Sequence, residues 1–154
     1  MKNEKLKVLV VEPLKKPYAV EIDSSLKSLQ QAVGGYIEAV YPFDENVALI
    51  CDEEGKLKGK ELNRALRDEQ GHIYDVIAGT FLIAGLSEDD FASLSDADLR
   101  KFSEHFRVPE RFVHANGTIM VLPVREETSI KDQLDALQKQ IKPAVKKQTK
   151  QLER

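Results

Sequence analysis

The sequence predicts an α+β domain, a mainly antiparallel sheet of about six strands packed against two or three helices, followed by a C-terminal amphipathic helix. Three observations carry this. Short apolar or alternating runs recur between turn residues from Lys5 to Val124, the signature of strands joined by hairpins. Asp23-Ser24-Ser25 and Ser95 each stand before a run with helical apolar spacing. A chain of 154 residues with 42% hydrophobic content can bury one good core.

The elements follow in order. Lys5 to Glu12 is a β-branched apolar strand closed by Pro13, and Tyr18 to Ile22 is an alternating one, so the two form a hairpin. Asp23-Ser24-Ser25 caps a helix over Leu26 to Val33, which Gly34 ends in the left-handed region. Tyr36 to Tyr41 and Val47 to Cys51 make a second hairpin across Pro42 to Asn46. Leu57 to Gly59 adds a few strand residues. A short helical turn is expected over Glu61 to Arg67, where Leu62 and Leu66 form an i, i+4 pair.

"YDVIAGTFLIAG", from Tyr74, is the most apolar run, and its Gly79-Thr80 predicts a bulge, or a break between two short strands. Ser87 opens an acidic turn, and Ser95 opens a helix through Leu99, Phe102 and Phe106 that Pro109 stops. Arg111 to Ala115 and Thr118 to Val124 flank Asn116-Gly117, which suits both positive-φ positions of a type I′ turn. Ser129 to Ile141 carries Ile130, Leu134, Leu137 and Ile141 as one stripe before a polar, basic end. Residues 1–125 are therefore expected to form the domain, and residues 126–154 a helix and basic tail.

Charge is unevenly spread. The formal net charge is −3, but residues 125–154 hold eight basic against five acidic side chains, leaving 15 against 21 in residues 1–124. An acidic body argues against nucleic-acid binding as the main role, and the basic tail lacks aromatics to stack bases. The acidic balance is mild for mimicry of nucleic acid. The N-terminal apolar run, Val8 to Val11, is too short for a signal peptide, and nothing approaches a membrane helix. With a single cysteine, Cys51, a reducing cytoplasmic setting is expected.

No complete catalytic or metal signature occurs. Gly34-Gly35 ends a helix and begins a strand, the reverse of a phosphate-binding loop, so it reads as a cap and turn. His72, His105 and His114 are too far apart for metal-ligand spacing, and no metal or cofactor is expected. Carboxylates such as Asp44, Asp52 and Asp89 fall in turns, which explains them as solvated turn chemistry. Asn63, Arg64 and Arg67 are the more suggestive group: on a helical turn, two arginines at i, i+3 make a fork for a phosphate or carboxylate. The same geometry also permits plain salt bridges to Asp68 and Asp75. Tyr74 and Asp75 follow closely, and Tyr41 and Phe43 rim the earlier hairpin, so these seven residues are the candidate binding surface.

"VGGYIEAVYPF", "VALICDEEGK", "LNRALRDEQGHIYDVIAGTFLIAG" and "FASLSDADLRKFSEHF" together resemble a domain family of unknown function common in bacteriophages and in conjugative elements of gut Firmicutes. The resemblance runs from about Leu6 to Val124 and implies a cytoplasmic accessory protein of a mobile element. It implies no reaction and no catalytic residues. The expected function is a non-enzymatic binding module that recognises a host or element protein, or a small anionic ligand. The alternative is an enzyme acting on nucleotides or nucleic acid, with a carboxylate such as Asp75 or Asp44 as base, which predicts Asp75 and an arginine converging within one concave pocket. Homo-oligomerisation through the Ile130 to Ile141 stripe is a further expectation.

Overall fold

The computed structural model describes residues 4–124, in which ten strands and two helices follow one another. The C-terminal helix, its apolar stripe and the basic tail lie outside the described residues. Strands β1 (Lys5–Val11) and β2 (Tyr18–Asp23) form the first hairpin, and helix α1 (Leu26–Val33) follows. Strands β3 (Ile37–Val40) and β4 (Val47–Asp52) form the second hairpin. Next come β5 (Leu62–Arg67), β6 (Ile73–Ala78), β7 (Phe81–Leu86), the two-residue β8 (Phe91–Ala92) and helix α2 (Asp96–His105). Strands β9 (Glu110–Ala115) and β10 (Thr118–Pro123) close the described chain.

The α+β expectation holds, with a main sheet of six strands. Its order is β2-β1-β7-β4-β3, with β8 pairing the end of β7, and every pairing is antiparallel. β4 and β7 are buried on both faces, which explains why their sequences read as unbroken apolar runs. Val47, Leu49, Cys51, Phe81 and Ile83 turn to one face, where Leu66, Ile77, Phe102 and Phe106 cover them. Ala48, Ile50, Leu82 and Ala84 turn to the other, under Leu29 and Val33 of α1.

The apolar run from Tyr74 breaks in two at Gly79, whose φ of 83° reverses the chain. Its halves join different sheets: β7 enters the centre of the main sheet, while β6 pairs only with β5. Segment 62–67 is therefore a strand, and the expected helical turn is corrected. Two irregularities shape this hairpin. Asn63 is an extra residue between the Leu62↔Ala78 and Arg64↔Ile77 pairs, and Tyr74 is an extra one between Asp75 and Ile73. The β9–β10 hairpin has the expected turn, with Asn116 at φ 52° and Gly117 at φ 76°. Glu110 fastens it to β5, its carboxylate accepting from the Ala65 amide at 2.8 Å and from Arg67 at 2.9 Å.

Both helix starts are as expected. The Ser25 hydroxyl accepts from the Ser28 amide and the Ser95 hydroxyl from the Asp98 amide. Gly34 ends α1 at φ 79°, its amide donating to the Gln30 carbonyl at 2.8 Å. Gly35 has a separate reason to be glycine: a Cβ there would stand 2.5 Å from Asp52 Oδ1. Asp52 is buried between Lys58 and Lys60, at 2.8 and 2.6 Å, and both lysines also donate to the Gly34 carbonyl. Burial pushes its carboxyl up, but hydrogen bonds from Lys58, Lys60 and the Glu54 amide outweigh this and hold it well below the usual carboxylate range.

Candidate functional site

A strand places successive side chains on opposite faces, so Arg64 and Arg67, three residues apart, cannot act as one fork. Arg64 is 2% exposed. Its Nη2 donates to the Lys15 carbonyl at 2.8 Å and to the Phe106 carbonyl at 2.9 Å, and its Nη1 donates to Asn63 Oδ1 at 2.8 Å. Phe106 is the C-cap of α2, so the guanidinium sits at the negative end of that helix. Burial lowers Arg64 to about 10, with the Glu110 carboxylate acting in the opposite direction, and it stays charged at neutral pH.

Asn63 is fully buried as well. Its Nδ2 donates to the Val11 and Gly79 carbonyls at 2.9 and 2.8 Å, tying the ends of β1 and β6 together. The bulge turns this side chain inward and leaves its amide satisfied by three partners. Asn63 and Arg64, expected on a recognition surface, are thus interior groups that join β1, β5, α2 and the β1–β2 turn.

Arg67 reaches the surface, 40% exposed in its side chain, and lines a cleft of about 590 Å³. The cleft lies between the β3–β4 loop, the β5–β6 turn and the last turns of α2. Phe43 forms its floor, tilted against Phe102 and edge-to-face with Phe106 and His105, with ring centroids 4.7, 6.0 and 5.5 Å away. Tyr74 stands at its edge, 57% exposed because the bulge leaves it without a cross-strand partner. Lys101 pairs with Glu45 and lies 5.9 Å from the Phe102 ring centroid. His105 is held neutral: burial lowers its pKa, and the nearby Arg67 and Lys101 charges lower it further, against a weaker pull from Glu110.

Of the seven residues expected at a binding surface, the structure brings Phe43, Arg67 and Tyr74 together. Tyr41 is exposed at the end of β3 but does not line the cleft, and Asp75 lies in a second cavity, ion-paired with Lys56. Among the described residues no arginine lines that second cavity, whereas Asp44 shares the first with Arg67. Lys101 and His105 are the cleft residues that sequence reasoning missed as a pair. Their i, i+4 spacing around Phe102 on a capped helix was the available signal, since it sets a cation and an imidazole beside one buried ring.

Among the described residues no group of three or more His, Cys, Asp or Glu side chains is arranged to hold a metal ion, and no helix is long and apolar enough to cross a membrane. Comparison with curated proteins and with solved structures finds no match. Residues 6–107, more than half of the chain and spanning β1 to the end of α2, match a domain of unknown function (DUF3846), and the chain belongs to that family.

Proposed function

We propose that the domain is a non-enzymatic binding module that recognises a partner protein through the Phe43–Tyr74–His105 cleft. One observation carries this reading: an aromatic floor and an exposed tyrosine are framed by charges of both signs that are already partly paired. Tyrosine, phenylalanine and arginine around a concave centre, with polar groups at the rim, is the composition of protein interfaces. A small anion is less well served. Asp44, Glu45, Asp68 and Glu69 line the cleft against Arg67 and Lys101, and both cations hold carboxylate partners. An acid–base enzyme is also less well served: Asp75 and the arginines do not converge, and Arg67, which shares the cleft with Asp44, is ion-paired with Glu110.

The setting that fits is the cytoplasm of a bacterium carrying a phage or conjugative element, with the module acting as an accessory protein on a host or element protein. The resemblance of the strand and helix motifs to proteins of such elements supports it.

Affinity capture with the wild-type chain and with Tyr74→Ala and Lys101→Glu variants tests the reading. A protein retained by the wild type and depleted at least tenfold by both variants is the expected result. Titration with nucleotides and cyclic nucleotides is expected to give no heat. Heat that disappears in Arg67→Ala would replace the protein partner with a small anion.

A further inference from the structure

β3 is an outer strand of the main sheet, and its outer side pairs with no strand among the described residues. The ladder fixes which of its backbone groups are free. The Glu53 amide donates to the Tyr36 carbonyl, so the antiparallel alternation turns the N–H and C=O groups of Ile37 and Ala39 outward. Among the described residues the edge carries little protection: Ile37 to Val40 contains no proline, no lysine and no bulge, and its shortness and the Glu38 charge are what guard it. Exposed Tyr36 and Tyr41 flank it on either side.

A cavity of about 450 Å³ lies beside the same strand, between Glu38 and Val40 of β3, Cys51 of β4 and the Asp75–Ala78 part of β6. Glu38, Asp52, Glu53 and Asp75 line it with Lys56 as its lysine, and Asp52 is neutralised by Lys58 and Lys60. Lys56 is itself held by Asp75, so Glu38 and Glu53 are the lining carboxylates without an ion-pair partner among the described residues, and they give the cavity its acidic character. The opposite face of β3 is apolar, with Ile37 packed on the α1 side of the core.

We infer that the β3 edge takes an extended peptide segment in which basic and apolar residues alternate, adding a strand to the sheet. Main-chain bonds to Ile37 and Ala39 supply the pairing, as in other strand-addition complexes. Period-two alternation then sorts the side chains. Every second residue falls on the Glu38 face, where a lysine or arginine pairs across the strands with Glu38 and reaches the acidic cavity. The residues between fall on the Ile37 face and suit valine or isoleucine. This surface is separate from the aromatic cleft and stands whether or not the cleft binds a protein.

The test uses an acetylated, fluorescent octapeptide of alternating lysine and valine, measured by anisotropy against the full chain. Saturable binding is expected, weakened at least tenfold by Glu38→Lys and by Ala39→Pro. Ala39→Pro removes an outward N–H without touching the β3–β4 ladder. Two further peptides, N-methylated at all lysines or at all valines, keep the charge but block one edge each, and one of them is expected to lose at least tenfold. Absence of saturable binding, or equal binding by both methylated peptides to the wild-type chain, would overturn the inference. So would a concentration-dependent dimer that Ala39→Pro abolishes, because the edge would then be taken by a second copy.

Discussion

Arg64 and Phe106 are joined across 42 residues of sequence by two hydrogen bonds, from Nε at 3.3 Å and from Nη2 at 2.9 Å, onto one carbonyl at the end of α2. The buried guanidinium thereby holds the helix that carries Lys101 and His105 against β5, which carries Arg67. Removing it leaves the buried Phe106 carbonyl and Asn63 Oδ1, and the part-buried Lys15 carbonyl, short of a donor.

Arg64→Ala is accordingly expected to destabilise the domain by about 2–4 kcal/mol, read from urea unfolding. Arg64→Lys should recover only part of this, because an ammonium cannot serve three directions with a planar fork. Arg67→Ala, at an exposed ion pair with Glu110, should cost under about 1 kcal/mol. Equal losses for the two arginines would contradict the division between interior and cleft.

Gly34 and Gly35 should respond to alanine for different reasons. Gly34→Ala places a side chain in the left-handed region and is expected to cost about 1–2 kcal/mol. Gly35→Ala drives a Cβ onto the buried Asp52 carboxylate and its Lys58 partner, a steric insertion worth about 1–3 kcal/mol. Combining Gly35→Ala with Asp52→Ala checks the mechanism in a thermal melt: the double variant should lose less than the sum of the two single losses.

Cys51 should be unreactive in the folded protein. Burial first, and then the Glu38, Asp75 and Asp52 charges, raise its thiol to about 11 against the opposing Lys56 charge. Iodoacetamide at pH 8 is expected to label the native chain at least tenfold more slowly than the urea-unfolded chain, as followed by intact mass.

His105 predicts a pH dependence. Its folded pKa lies below that of the unfolded chain, about 6.5, so the folded state takes up its proton later as pH falls. Its contribution is fully present above pH ~6.5 and is lost as pH falls through the depressed folded value. Melting temperature should therefore drop between pH 7 and pH 5, and the slope should be shallower in His105→Gln. An unchanged slope would remove His105 as the cause.

The local signals in the sequence were the readable ones. Gly34 as a helix stop, Ser25 and Ser95 as caps, and Asn116-Gly117 as a type I′ turn each act within a few residues, and each is present. β5 was misread because Asn63 and Arg64 look like surface residues, which left Leu62 and Leu66 as a helical pair. Their burial depends on Val11, Lys15, Gly79 and Phe106, partners between 16 and 52 residues away that no local pattern announces. Phe43 and Tyr74 lie far apart in the sequence, and what unites them with His105 is the docking of α2 onto the sheet.

The cleft as a protein-recognition surface is the central claim, and site-specific photo-crosslinking in cells that carry the gene tests it most directly. Position 74 is compared with position 26, since Tyr74 and Leu26 are both 57% exposed and Leu26 lies on α1 away from the cleft lining. With p-benzoylphenylalanine at position 74, a discrete crosslinked protein is expected that is weak or missing from position 26 and is reduced at least tenfold by Lys101→Glu. No crosslink at position 74, the same product from position 26, or a product indifferent to Lys101→Glu would contradict the account.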